Sequence, residues 1–180
     1  MPGGSLKLRG CVRVVLGDNI DTDIIYPGRY LNITDREKTA EHLFELAYPN
    51  IRPGLRAGEF IVAGKNFGCG SSREQAAAAL KFAGAGAVIA ASFARIFFRN
   101  AINLGLPAVV SPEASAGCSL GDELEIDLVA GEIHNLSQGA ILQAAPLDPR
   151  AAELLAAGGL IPYLKRKYVN SRSDPCPSIA

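Results

Sequence analysis

The sequence predicts a single α/β domain with a mixed sheet, a parallel core, flanking helices and a C-terminal β-hairpin. Its 180 residues suit one domain. Between residues 59 and 110, short apolar segments alternate with helical segments, which favours parallel strands joined by crossover helices. Beyond Gly117, residues 124–128 and 132–136 alternate apolar and polar side chains around a turn, which is typical of a hairpin.

The N-terminal part contains one predicted strand and one predicted helix. Residues 6–16 alternate roughly between apolar and polar side chains and predict a half-buried strand, which the turn residues 17–19 end. A short apolar piece and a loop follow. Thr34 and Asp35 then begin a predicted helix, since apolar side chains recur at helical spacing from there to Tyr48.

The central part predicts strands and helices in alternation around a glycine-rich stretch. In chain order these are a strand (59–63), the glycine-rich stretch (64–70), a helix (71–82) ended by Gly84, a strand (87–91), a helix (93–103) and a strand (107–110). This succession is the part of the sequence that predicts the parallel core.

The C-terminal part places one last helix after the hairpin. Asp148 and Pro149 begin this helix, and Gly158 ends it a few residues beyond Leu155. Residues 169–180 include two prolines and three serines and are expected to form a flexible tail. The folded domain is therefore expected to span residues 1–168.

Composition and charge exclude several classes of protein. Eighteen Lys and Arg residues balance eighteen Asp and Glu residues, which argues against a strongly basic nucleic-acid-binding protein. No apolar run approaches the ~20 residues of a bilayer span, and no secretory signal pattern is present, so a cytoplasmic protein without a membrane partner is expected. The four cysteines and two histidines show no metal-ligand spacing, so a metal site built by this chain alone is not expected.

Residues 64–74, GKNFGCGSSRE, carry the strongest chemical signal. Glycines let a ligand approach the backbone, and the N-terminus of the helix that follows attracts anions. The stretch is not a Walker A loop, because no glycine five residues ahead precedes a Lys-Ser or Lys-Thr pair. It is not a dinucleotide-binding fingerprint either, because Arg73 stands where the third glycine belongs. A guanidinium at this helix start would bind a carboxylate through two hydrogen bonds, which favours a di- or tricarboxylate ligand.

Ser71 has two interpretations. With Glu74 it matches the capping box, in which the serine caps the helix and the glutamate reaches back. As a catalytic base, its alkoxide would need stabilisation, and a helix N-terminus supplies at most about 2 kcal/mol, a little over one pKa unit. The missing positive charge would have to come from Arg73 and a metal centre on a partner protein.

Three motifs together resemble the aconitase superfamily: DNIDTDII (18–25), GKNFGCGSSRE (64–74) and SFARIFFRNAINLGLP (92–107). More narrowly, residues 6–168 are similar to the small-subunit family of 3-isopropylmalate dehydratases. The resemblance implies a swivel domain that closes over a large subunit carrying a [4Fe–4S] cluster, with no cofactor bound by this chain alone. It also implies a hydro-lyase of leucine biosynthesis that isomerises 2-isopropylmalate to 3-isopropylmalate by dehydration and rehydration.

The resemblance further implies roles for individual residues. Ser71 would be the base that removes the proton beside a carboxylate, and Asp23 would be an active-site acid. Arg73 would hold a substrate carboxylate with help from Ser72. For Asp21, in the same motif as Asp23, a purely structural role as a turn or loop brace is equally open.

The loop of Tyr30, Leu31 and Asn32 aligns with the substrate-selecting loop of the family. Similar homoaconitases carry arginine at the position of Asn32, so asparagine favours a diacid with a smaller or apolar substituent, as in isopropylmalate. 2,3-Dimethylmalate and citramalate fit nearly as well. Homoaconitate is disfavoured but stays open, because Arg29 or Arg36 could supply the missing charge.

A function of another class also stays open, in which the glycine loop binds an anion without catalysis and without a partner. Cys69 lies beside the expected site, and Gln75 stands where many relatives have histidine. The roles of both residues are left open. His42 and His134 are expected to be surface or half-buried residues.

Overall fold

In residues 6–169, which the computed structural model describes, seven strands form one mixed sheet. The strands are β1 (Lys7–Val15), β2 (Phe60–Ala63), β3 (Ala87–Ala90), β4 (Ala108–Val110), β5 (Glu123–Asp127), β6 (Glu132–Asn135) and β7 (Ala140–Gln143). The helices are α1 (Thr22–Ile25), α2 (Arg36–Glu41), α3 (Ile51–Gly54), α4 (Glu74–Phe82), α5 (Arg95–Asn103), α6 (Pro112–Gly117), α7 (Pro149–Ala157) and α8 (Leu160–Val169). The strand order in the sheet is β4-β3-β2-β1-β5-β6-β7.

The parallel core predicted from the sequence consists of β1 to β4 and is confirmed. Each of these strands pairs in parallel with the next. All residues of β2 and β3 are buried, which explains why both strands are continuous apolar runs rather than alternating patterns. The other edge of β1 pairs with β5 in antiparallel fashion, and β6 and β7 continue this arrangement. The predicted hairpin is therefore confirmed as part of a three-stranded meander.

Two apolar clusters occupy the two faces of the sheet. Successive residues of β2 and β3 alternate between the clusters, as side chains of a strand must. One cluster contains Leu80 of α4 and Phe97 of α5. The other contains Ala114 of α6 and Leu124 of β5. The crossover helices α4 and α5 thus cover one face of the sheet. On the other face, α6 packs together with side chains of the meander.

The predicted helix between residues 34 and 48 is shorter than expected. Its start is confirmed, because the Asp35 carboxylate caps α2 by accepting the Lys38 N–H at 3.0 Å. The helix ends at Glu41, and Phe44 adopts a φ of +56° while its N–H donates to Ile25 O at 2.9 Å. Periodicity alone did not indicate this turn, which buries the Phe44 side chain completely.

The C-terminal part contains three elements that the sequence did not predict: α6, β7 and α8. The predicted start and end of α7 are confirmed, with Asp148 as its N-cap and Gly158 in the left-handed conformation at its C-cap. This helix is not the last, because α8 follows it directly. Apart from its first residue, which ends α8, the predicted tail of residues 169–180 lies outside the described residues.

No helix within residues 6–169 combines the length and the apolar character that a membrane crossing requires.

Candidate active site

The loops that follow β1, β2 and β3 meet at one edge of the sheet. These strands are parallel neighbours, so their carboxyl ends lie together, at the edge where α/β sheets bind ligands. The loop after β2 joins the loop after β1 through the Gly68 N–H, which donates to Ile20 O at 2.7 Å. It joins the loop after β3 through the Phe67 N–H, which donates to Ser92 O at 3.0 Å.

Phe67 anchors the glycine-rich loop in the core. Its ring makes edge-to-face contacts with Phe93 and Phe97, with centroid distances of 6.0 and 5.2 Å. The next residue, Gly68, has a φ of +76°, and a Cβ at this position would overlap the Phe97 ring. Glycine is therefore required here for both backbone and packing reasons, and the loop is held in a defined conformation.

Ser71 and Ser72 are exposed at the end of this loop, just before α4 begins at Glu74. The cap position of α4 belongs to Arg73, which has an extended backbone and makes no side-chain cap bond. The capping-box interpretation of Ser71 is therefore wrong. Its carbonyl instead accepts a hydrogen bond from the Thr22 hydroxyl at 3.1 Å, which holds this residue in the loop outside the helix.

Asp23 and Arg73, fifty positions apart in the chain, form an ion pair across the site. The same Asp23 Oδ1 accepts the Gly28 N–H at 3.1 Å. A Cβ at Gly28 would lie 3.2 Å from both Nη atoms of Arg73, so the guanidinium packs closely against the backbone there. The hydrogen bond from Arg73 is the main reason why the pKa of Asp23 lies below its usual value.

The two aspartates of the first motif have different environments. The Asp21 carboxylate caps α1 by accepting the Ile24 N–H at 2.7 Å. The Asp23 side chain, two residues further along the chain, is 57% exposed and binds Arg73. The structural role left open for Asp21 is thus the one observed, and Asp23 is the aspartate that faces the arginine.

The loop of Tyr30, Leu31 and Asn32 follows Gly28 and so lies next to the ion pair. Gly28 and Tyr30 bound a short 3₁₀ turn, and Asn32 is exposed after it. Leu31 packs against the core. The Tyr30 hydroxyl donates to Glu45 Oε1 at 2.9 Å. All seven residues that the sequence singled out therefore lie in two adjoining segments, 23–32 and 71–73.

Sequence reasoning missed Glu45 and its contact with His42. His42 is half-buried, as expected, and its Nδ1 lies 2.6 Å from Glu45 Oε2. The spacing of three residues between a histidine and a glutamate in a predicted helix was the available signal, although the two residues lie in the turn that follows α2. Cys69, whose role was open, is half-buried and accepts the Thr22 N–H through its carbonyl at 2.9 Å.

The described residues do not form a metal or cluster site. Within residues 6–169, no group of three or more His, Cys, Asp or Glu side chains is arranged to hold a metal ion. Cys118 is buried, and this burial raises the pKa of its thiol to about 11. In the absence of a metal ion, its sulfur is therefore protonated at neutral pH.

Comparison with known proteins identifies relatives of this chain. The protein-family model of the aconitase C-terminal domain matches residues 55–113, which include the glycine-rich loop. A 3-isopropylmalate dehydratase small subunit of Moorella thermoacetica is 57% identical over 155 residues, which are 86% of this chain and 93% of that protein. An isopropylmalate/citramalate isomerase small subunit of Methanocaldococcus jannaschii is 50% identical over 87% of this chain and 93% of that protein.

A solved structure shares the fold. The crystal structure of a 3-isopropylmalate dehydratase of Methanocaldococcus jannaschii superimposes with a TM-score of 0.85 and 43% sequence identity. The match covers 94% of this chain and 100% of that chain. The mixed α/β fold is therefore found in a protein of related sequence.

Proposed function

This chain belongs to the 3-isopropylmalate dehydratase small-subunit family, and we propose that it completes the active site of a two-subunit hydro-lyase. The proposed reaction is the isomerisation of 2-isopropylmalate to 3-isopropylmalate by loss and readdition of water, a step of leucine biosynthesis. The partner is a large subunit, as the small-subunit names of the relatives imply. This chain would supply a serine base and an arginine that binds a carboxylate.

The observation that carries the proposal is the meeting of Ser71, Arg73 and Asp23 at the carboxyl edge of the sheet. Residues 71–73 follow β2 and Asp23 follows β1, yet the ion pair joins them. A hydroxyl that can act as a base and a cation for a carboxylate are the groups that proton abstraction next to a carboxylate requires. Ser72 is exposed beside them and is suited to add a hydrogen bond to the same carboxylate.

Arg73 is suited to hold one carboxylate of a diacid. Its side chain is only 19% exposed and already binds a carboxylate, that of Asp23, so its orientation is set before a substrate arrives. The lowered pKa of Asp23 keeps this group ionised at neutral pH. Asp23 is therefore suited to orient Arg73 and to accept a hydrogen bond, and its side chain is 57% exposed.

Ser71 needs help from outside the chain to act as a base. Its hydroxyl is exposed and makes no hydrogen bond within the described residues. The charge of Arg73 is balanced by Asp23 here, so the local positive charge is too small to stabilise an alkoxide. A [4Fe–4S] cluster, expected on the large subunit, supplies Lewis-acid chemistry to the leaving hydroxyl when it is bound. The chain alone is therefore expected to be inactive.

The substrate-selecting loop favours a diacid with an apolar substituent. Leu31 and Asn32 carry no charge that could bind a further carboxylate. Arg29, one possible substitute, donates through Nη2 to Glu45 at 2.9 Å. Arg36, the other, has its guanidinium 5.3 Å from the centre of the Phe82 ring. Both arginines are thus engaged elsewhere, which argues against homoaconitate.

Citramalate is the second candidate substrate. The relative from Methanocaldococcus jannaschii, 50% identical to this chain, is named an isopropylmalate/citramalate isomerase small subunit. The two acids differ in the size of an apolar substituent, which a loop of leucine and asparagine distinguishes by packing alone. 2,3-Dimethylmalate belongs to the same class and should be tested with them.

The test is anaerobic reconstitution with the large subunit of the same organism, in which turnover is monitored by the absorbance of the alkene intermediate. We expect turnover only when both chains are present, strongest with 2-isopropylmalate. Ser71→Ala should abolish turnover in an intact complex, whereas Ser119→Ala, at an exposed serine in the segment before β5, should not. Near-normal kcat for Ser71→Ala would show that Ser71 is not the base.

Two other outcomes would change the proposal. Preference for citramalate or another diacid would retain the mechanism and change the substrate. Absence of turnover with a cluster-loaded partner, together with tight binding of 2-isopropylmalate by this chain alone, would favour a stand-alone anion-binding module.

A further inference from the structure

The Glu45 carboxylate collects three hydrogen-bond donors from one region of the chain. Its Oε1 accepts the Tyr30 hydroxyl at 2.9 Å and the Arg29 Nη2 at 2.9 Å. Its Oε2 lies 2.6 Å from the His42 Nδ1. Both carboxylate oxygens are therefore engaged, and two of the three donors are Tyr30 of the substrate-selecting loop and Arg29, which precedes it.

The Tyr30 ring is held by contacts as well as by this hydrogen bond. The His42 ring stacks on it, with a centroid distance of 3.6 Å and an interplanar angle of 9°. The Arg29 guanidinium lies 4.7 Å from the Tyr30 ring centre. The hydroxyl of buried Tyr26 donates to the Tyr30 carbonyl at 2.9 Å. Side chain and backbone of Tyr30 are thus fixed together.

Glu45 is itself attached to the core. It follows Phe44, which is fully buried, adopts a φ of +56° and donates its N–H to Ile25 O at 2.9 Å. Partial burial of Glu45 opposes its charge, but hydrogen bonds from Tyr30 and His42 outweigh this effect and hold the pKa of the carboxyl below its usual value. Glu45 is therefore ionised at neutral pH and accepts from all three donors.

We propose that Glu45 is a positioning residue for substrate selection. It acts by fixing Tyr30 and thereby the two residues that follow it. The Tyr30 hydroxyl is committed to Glu45, so Leu31 and Asn32 present the selecting surface, and their location depends on the anchored tyrosine. His42 assists by stacking on the same ring. This inference rests on the proposed function of the loop in binding a diacid.

The first test is Glu45→Gln in the complex reconstituted with the large subunit. Glutamine keeps the shape of the glutamate side chain but replaces one acceptor oxygen by an NH₂ group, which cannot accept the hydrogen bonds that Tyr30, Arg29 or His42 donates to that oxygen. We expect KM for 2-isopropylmalate to rise about fivefold to tenfold, because a displaced loop binds the substrate less well, with kcat within about twofold of wild type. The preference for 2-isopropylmalate over citramalate should fall by about threefold or more, because a displaced loop discriminates less.

Two further variants make the test specific. Glu41→Gln carries the same substitution at an exposed residue of α2 without a partner in the described chain, and should match wild type. Tyr30→Phe removes only the hydroxyl and keeps the stacked ring, so it serves if Glu45→Gln does not assemble. It should raise KM and reduce the preference in the same direction. The double variant should lose little beyond the single ones, because both remove the same contact.

The inference is overturned if Glu45→Gln and Tyr30→Phe lower the temperature of unfolding but leave KM and substrate preference at wild-type values. That result would assign Glu45 to stability alone. A wild-type complex that turns over none of the diacids would refute the proposed function, and this inference with it. A wild-type complex that is active, with variants that match it, refutes only the role of Glu45.

Discussion

Replacing Arg73 by lysine tests whether the geometry of the guanidinium, rather than its charge, binds the substrate. An ammonium retains the charge but cannot offer two parallel N–H donors to a carboxylate. The loss of one charge-assisted hydrogen bond corresponds to about 1.5–3 kcal/mol. Arg73→Lys should therefore lower kcat/KM of the reconstituted complex by roughly 10- to 150-fold.

Stability should change far less than activity. The partner of Arg73 in the free chain is Asp23, whose side chain is 57% exposed, and ion pairs in contact with solvent contribute about 0–1 kcal/mol. The temperature of unfolding should therefore fall by less than about 4 °C in a chain of this length. Scanning calorimetry of the isolated chain measures this shift, while initial rates of the reconstituted complex give kcat/KM.

Arg56→Lys is the matched control. Arg56 is exposed in the segment before β2, at the amino ends of the parallel strands, and within residues 6–169 it contacts a carboxylate only through its backbone N–H, which donates to Glu59 Oε2 at 2.7 Å. This variant should have wild-type kinetics. If Arg73→Lys also retained kcat/KM within twofold of wild type, the bidentate binding of a carboxylate by Arg73 would be refuted.

Three further predictions concern packing, pH and substrate choice. Gly68→Ala places a Cβ in the Phe97 ring and puts alanine at an unfavourable positive φ, so the free energy of unfolding measured in denaturant should fall by about 2–5 kcal/mol. Gly17→Ala is the control, because a Cβ at Gly17 meets open space, and it should change little. Equal stability of the two variants would contradict the packing argument. Asp122 is buried, which opposes its charge, but three hydrogen bonds outweigh this and lower its pKa, so Asp122→Ala should destabilise by about 2–3 kcal/mol at pH 7. A carboxylate with a lowered pKa stabilises the fold above its usual pKa near 4, and this stabilisation is lost as the pH falls through its pKa in the folded state. The difference in free energy of unfolding between Asp122→Ala and wild type, measured in urea, should therefore shrink below about pH 4. A difference that stays constant with pH would contradict this role of Asp122. Asn32→Arg should raise kcat/KM for homoaconitate and lower it for 2-isopropylmalate in the reconstituted complex, and an unchanged ratio would show that residue 32 does not face the substituent.

Local patterns were sufficient to predict the strands and helices that build the parallel core. The apolar runs of β2 and β3 and the glycines around α4 follow from residue type and spacing within a few positions. Residue type and spacing likewise predicted the hairpin of β5 and β6 and the Asp148 cap of α7. In each case the pattern that predicts the element lies within the segment itself, although the strands are stabilised by pairing with their neighbours.

Predictions were wrong where a distant contact decides the local conformation. The helix after Asp35 ends early because Phe44 turns inward and bonds to Ile25, a contact that no local pattern encodes. Ser71 matches a capping box in sequence, yet the bond from Thr22 to its carbonyl keeps it in the loop, and Arg73 takes the cap position.

The sequence by itself determined the family, the fold class and the two segments that carry the candidate site, since motifs and periodicity are properties of neighbouring residues. Only the tertiary structure decided which side chains meet. The Asp23–Arg73 ion pair spans fifty positions, and the bond of Tyr30 to Glu45 spans fifteen. Such pairs depend on how β1 and β2 lie side by side and on where the chain turns at Phe44, and these arrangements are set by burial of the whole core rather than by any single segment.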